Sequence, residues 1–97
     1  MGRTKTSQTK HDKEVRAQAR HFSQKGAKVY ADVSGFPRPQ TINGHRPDVI
    51  AIGDDITLVI EVETEDSVDS SRDIEQQRAF ESWARMSCKR DFERIVV

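Results

Sequence analysis

Apolar positions recur along the chain with two different periods. Between Lys10 and Lys25, Val15, Ala19 and Phe22 fall at i, i+4 and i+7, the stripe of an amphipathic helix, and Lys25 followed by Gly26 fits its end. From Ala27 to Val33 the period shortens to two, with Val29, Ala31 and Val33 alternating against Lys28, Tyr30 and Asp32, the pattern of a strand. Pro37, Pro39 and the turn pair Asn43-Gly44 make Ser34 to His45 a loop. A second strand is expected from Pro47 to Ile52 and a third from Ile56 to Thr64. In the third, Ile56, Leu58, Ile60 and Val62 form one face, while Val59 shares the other with Glu61 and Glu63. Apolar residues on both faces imply a sheet covered on both sides, as in an α/β layer fold. Ser70 or Ser71 can cap a second helix running to about Cys88, with Asp73 and Glu75 favourable in its first turn. Asp91 to Val97 reads as a fourth strand. The expectation is one α/β domain over residues 10–97, in the order α-β-β-β-α-β, with a mixed four-stranded sheet flanked by two helices. Residues 1–9, basic and without an apolar run, are expected to form a flexible tail.

Composition narrows the class. The chain has 97 residues, 34% hydrophobic and 33% charged, so a single modest core must be concentrated in a few segments. No run of about 18 apolar residues is present, which excludes a membrane-spanning helix. No secretory signal is read at the amino terminus, and Met1-Gly2 with Thr6 meets a myristoylation pattern so short that chance explains it. A single cysteine, Cys88, fits a reducing, cytoplasmic setting. His11, His21 and His45 have no zinc-like spacing and are expected at the surface. The net charge is zero but unevenly spread: residues 1–28 hold eight Lys and Arg against Asp12 and Glu14, and residues 48–81 hold eleven acidic groups against Arg72 and Arg78. Such asymmetry can set a basic wall beside an acidic centre, or draw the two halves together within one fold or across a dimer.

The acidic centre has a definite geometry. If Asp54-Asp55 form a two-residue turn, Gly53 pairs with Ile56, and counting back places Asp48 opposite Glu61. Glu63, two residues on, shares their face. Carboxylates are poor strand formers and costly in a core, so three converging within a few ångströms need a counter-charge. The hard-oxygen environment they make suits Mg²⁺ or Mn²⁺.

Pro47-Asp48, a turn, and Glu61-Val62-Glu63 closing an apolar strand resemble the PD-(D/E)xK nuclease superfamily, with its restriction-endonuclease-like and Holliday-junction-resolvase-like core. The order of elements over residues 10–97 is similar to that core, and Gln76-x-x-x-Phe80 resembles the Gln-x-x-x-Tyr helix motif of some members. The resemblance implies that Asp48 and Glu61 hold a divalent metal. Glu63 stands where the motif Lys is usual, as ligand or water-orienting group. Glu14 on the first helix and Gln76 on the second would support the site. It implies DNA as the partner, with Arg38, Arg46, Lys28 and Arg78 as candidate contacts and the donor-rich loop around Gln40, Thr41, Asn43 and His45 along the backbone. Because the family usually adds peripheral elements for DNA, a homodimer is expected.

Two functions follow. One is a metal-dependent deoxyribonuclease. The other is a catalytically inactive relative that uses the fold to bind DNA or to oligomerise. They differ in whether a Lys or Arg reaches the carboxylates from elsewhere in the chain. A third, weaker reading is a structural cation site or an acidic protein-binding surface.

Overall fold

The computed structural model describes residues 4–97. Its elements are α1 (Lys5–Gln24), β1 (Lys28–Ala31), β2 (Val49–Ile52), β3 (Thr57–Glu63), α2 (Ser71–Arg85) and β4 (Arg90–Val96), the α-β-β-β-α-β order expected. The four strands form one sheet in the order β1-β2-β3-β4. The first two pairings are antiparallel and the last is parallel, so the sheet is mixed. Joining parallel neighbours requires a crossover, which α2 supplies.

The first helix begins earlier than its apolar stripe suggests. Residues 5–9, read as part of a tail, are helical, and residues 1–3 lie outside the described residues. The cause is capping rather than hydrophobic periodicity. The Thr4 side chain accepts from Ser7 N–H at 3.1 Å, and Asp66 accepts from Thr4 N–H at 3.0 Å and from the Ser7 hydroxyl at 2.8 Å. At the other end, Gly26 takes φ +91°, a left-handed conformation that glycine adopts without a Cβ penalty.

Each sheet face has its own core. Val15 and Ala19 of α1 pack with Val29, Ala31, Val49, Ala51, Ile60 and Val62. On the other face Phe80 of α2 packs with Ile50 and Val59, joined by Tyr30, Ile42, Trp83 and Phe92. The 34–46 loop is fastened over this second core. Asn43 and Gly44, with φ of 50° and 83°, make a tight turn bridged between Ile42 and His45. Asn43 Nδ2 then donates to Ala79 O on α2 at 3.1 Å, and the His45 ring stands edge-on to Phe80.

Candidate functional site

The β2–β3 register sets the site. Val49 pairs with Ile60 and Ile52 with Thr57, and Gly53 N–H donates to Ile56 O at 2.9 Å, so the hairpin closes at Asp54-Asp55. One residue outward, Asp48 stands opposite Glu61. The two are cross-tied: Asp48 N–H donates to Glu61 Oε1 at 2.8 Å, and Val62 N–H donates to Asp48 Oδ2 at 2.8 Å. Each carboxylate thus satisfies a buried backbone donor on the facing strand, which holds both side chains in place. Glu61 and Glu63 are buried. Glu63 Oε2 accepts from the Ser67 hydroxyl at 2.6 Å, in the turn after β3.

These three carboxylates line a cleft of about 720 Å³ with side chains from α1, the 34–46 loop and the start of α2. Gln8, His11 and Asp12 come from α1, Arg38 and Arg46 from the loop, and Arg72, Asp73 and Gln76 from the start of α2. Arg38 lies 3.7 Å from Asp32, and Arg46 donates to Pro39 O, which braces the loop on itself. Glu14, Lys28 and Arg78 do not line the cleft. Glu14 sits on the flank of α1 and accepts from Gln18 at 2.7 Å, Lys28 lies over the Tyr30 ring, and Arg78 is exposed.

On α1 the cleft is lined by Gln8, His11 and Asp12, and the expected surface location of His11 is corrected. His11 is 6% exposed, one turn before Val15 on the same buried stripe. Its Nδ1 lies 2.9 Å from Asp12 Oδ1 and its Nε2 3.2 Å from Asp48 Oδ2, while Gln8 Nε2 donates to Asp12 Oδ1 at 2.9 Å. The spacing His11, Val15, Ala19 carries the signal, but the polar character of histidine hides it in the apolar pattern.

A second network closes the far side. Asp73 is 2% exposed; its Oδ2 accepts from Asp69 N–H at 2.7 Å and from Arg94 at 2.6 Å. Arg94 pairs with Glu61 in the β3–β4 register, which brings a cation from the adjacent strand to the edge of the carboxylate group. The Asp73 carboxylate, followed by Asp69 and Glu63, raises its pKa above the ordinary guanidinium value despite partial burial.

Among the described residues, no three His, Cys, Asp or Glu side chains are grouped closely enough to hold a metal ion by themselves, so the convergence of three carboxylates is not realised as a ready three-ligand cluster. The donor chemistry still suits a hard ion. Mg²⁺ keeps several waters and is commonly held by one or two carboxylates together with substrate phosphates, and Asp48 and Glu61 supply that number.

Residues 3–83 match the model of the AHJR-like restriction-endonuclease-like family, REase_AHJR-like. The chain belongs to this family. The match runs from α1 to most of α2 and contains all the cleft residues named above. It places the chain in the PD-(D/E)xK restriction-endonuclease-like superfamily, whose members are nuclease-type proteins that generally use a divalent metal. No curated protein and no solved structure gives a significant match. No helix among the described residues is long and apolar enough to cross a membrane.

Proposed function

We propose that the chain is a divalent-metal-dependent endonuclease that hydrolyses DNA phosphodiester bonds, with Asp48 and Glu61 holding Mg²⁺ or Mn²⁺. The observation that carries this reading is the cross-tied Asp48–Glu61 pair in a cleft that arginines also line. A divalent ion bound there supplies Lewis-acid polarisation of the scissile phosphate and a more acidic bound water. The residues around it do the positioning. Arg38, Arg46 and Arg72 offer planar, permanently charged donors suited to phosphate oxygens. Gln76 projects from α2 into the same cleft and can hydrogen-bond the backbone or the attacking water. Glu63, steadied by Ser67, takes the motif-Lys position as an acceptor for a water proton rather than as a cation. Glu14, Lys28 and Arg78 have no part in this constellation. The proposal includes a homodimer, so that two such clefts meet one duplex, acting in the cytoplasm, where the free, exposed Cys88 stays reduced.

The catalytically inactive alternative has one specific observation behind it: no lysine lines the cleft among the described residues. Nicking of supercoiled plasmid by the full chain with Mg²⁺ or Mn²⁺ decides between them. The expected result is metal-dependent cutting in the wild type, reduced to background in Asp48→Asn and Glu61→Gln. DNA binding without cutting under any divalent ion would establish the inactive module instead.

A further inference from the structure

One cation comes to the carboxylates from outside the residues that the family model matches. Arg94 lies on β4, beyond residue 83. It pairs with Glu61 in the β3–β4 register, and Asp48 stands opposite Glu61 on the other side. Paired residues on neighbouring strands project from the same face, so Asp48, Glu61 and Arg94 form one row across the sheet. From that row the guanidinium reaches α2. Arg94 Nη2 donates to Asp73 Oδ2 at 2.6 Å and lies 3.5 Å from Asp69 Oδ1. Asp69 N–H donates to the same Asp73 oxygen at 2.7 Å, and Ser70 Oγ caps the helix by accepting from Asp73 N–H at 3.2 Å. The start of α2 is thus tied to the row that carries the carboxylates, and from its first two turns Arg72 and Gln76 line the cleft. Two features of this tie disfavour the fold rather than support it. Asp69 sits at φ 60°, in the left-handed region. Arg94 Nε is buried and has no hydrogen-bond partner among the described residues. The guanidinium therefore engages through Nη2 instead of the two-pronged fork that arginine often offers a carboxylate. Backbone strain and an unsatisfied donor at one place are a pattern of functional sites, where a geometry is kept for what it presents.

We propose that Arg94 is a positioning residue of the cleft: through Asp73 it sets the first turn of α2, so that Arg72 and Gln76 meet the same phosphate that faces Asp48 and Glu61. The inference rests on the nuclease reading above and deepens it. Arg94 is then the cation that reaches the carboxylates from elsewhere in the chain, acting through Asp73 rather than by touching substrate. Because one nitrogen makes the tie to Asp73, a lysine ammonium can make it too, whereas an apolar side chain cannot.

A double-mutant cycle between positions 94 and 72 tests this, read as the rate of plasmid nicking by the full chain with Mg²⁺. Rates are taken per folded molecule, with the folded fraction followed by circular dichroism in the same buffer. Arg72→Gln is expected to slow nicking about tenfold in the wild type but about twofold or less in Arg94→Met, where Arg72 is already misplaced. Arg94→Met alone should slow nicking about tenfold or more, and Arg94→Lys should restore it to within about threefold of the wild type. Should Arg94→Met not fold, Asp73→Asn carries the same cycle, because it keeps an acceptor for Asp69 N–H while weakening the tie to Arg94. An equal loss from Arg72→Gln in every background, or a folded Arg94→Met that nicks at the wild-type rate, overturns the positioning role and leaves Arg94 a structural ion pair. Arg72→Gln without effect in the wild type overturns it as well, since Arg94 then has nothing to place. A wild type that cuts DNA under no divalent ion overturns the nuclease reading and this inference with it.

Discussion

At the scale of single residues, the site is built from charges that sequence position separates widely. Arg94 and Asp73 are 21 positions apart and 2.6 Å apart in space, with Asp73 almost fully buried. Removing one partner of such a pair strands the other charge away from water, which typically costs 3–5 kcal/mol. Arg94→Met is therefore expected to destabilise by about 3 kcal/mol in urea unfolding. A loss below about 1 kcal/mol would mean that Asp73 is not held by this contact. The Asp48–Glu61 cross-ties carry a different expectation. Asn and Gln keep a carbonyl oxygen that can still accept the facing backbone N–H, so Asp48→Asn and Glu61→Gln should leave metal-free stability nearly unchanged. Asp48→Ala removes the acceptor of Val62 N–H and should cost about 1–3 kcal/mol, an unsatisfied buried donor. The amide variants therefore test metal binding without a stability loss of their own. Equal losses from Asp48→Asn and Asp48→Ala would show that the negative charge, not the hydrogen bond, holds the hairpin.

At the scale of elements, the strand pattern was legible because both faces of the sheet carry apolar residues at period two. The hairpin register followed from Asp54-Asp55 alone, and it placed Asp48 and Glu61 opposite one another as the structure has them. The first turns of α1 were not legible. Lys5–Thr9 carry no apolar stripe, and their order depends on Asp66, about sixty positions later. Arg94 and Asp73 escaped for the same reason: an ion pair between a helix start and an edge strand leaves no periodic trace. The Asp66 clamp gives a pH prediction. Hydrogen bonds from Thr64, Ser7 and Thr4 hold its pKa down to about 2, against an ordinary 3.8. A depressed carboxylate pKa stabilises the folded state above the ordinary value, and that contribution is lost as pH falls through the folded value. Between pH 4 and pH 2 the first turn of α1 is expected to loosen, seen as faster amide exchange at Ser7 and Gln8. Asp66→Asn should show that faster exchange already at neutral pH. Exchange at these amides that ignores both pH and the substitution would rule out the clamp.

At the scale of the whole molecule, zero net charge conceals a cleft in which six carboxylates meet three arginines. Asp73 is neutralised by Arg94, but Asp12, Asp32, Asp48, Glu61 and Glu63 still outnumber Arg38, Arg46 and Arg72. A DNA phosphate entering this cleft meets an excess of negative charge, so the arginines alone make a weak binder. On the proposed function, a divalent ion at Asp48 and Glu61 would reverse the local balance and give the phosphate a further attachment. Ion and DNA should therefore bind with positive coupling, and coupling between two binding equilibria is reciprocal. The expected outcome is that saturating Mg²⁺ or Mn²⁺ tightens binding of a short duplex by about 5- to 150-fold, the usual range of such coupling, read by fluorescence anisotropy before cleavage sets in. Duplex DNA should tighten ion binding by the same factor in calorimetry. In the presence of the ion, each phosphate held by an arginine contributes about −0.9 to the slope of log affinity against log salt, so Gln at positions 38, 46 and 72 should flatten it by up to about 2.7. Asp48→Asn should remove the coupling while leaving the arginine part of the slope in place. An ion that leaves duplex affinity unchanged, or weakens it as simple salt would, shows that the phosphate does not pass the carboxylates, and places the DNA on another face of the molecule.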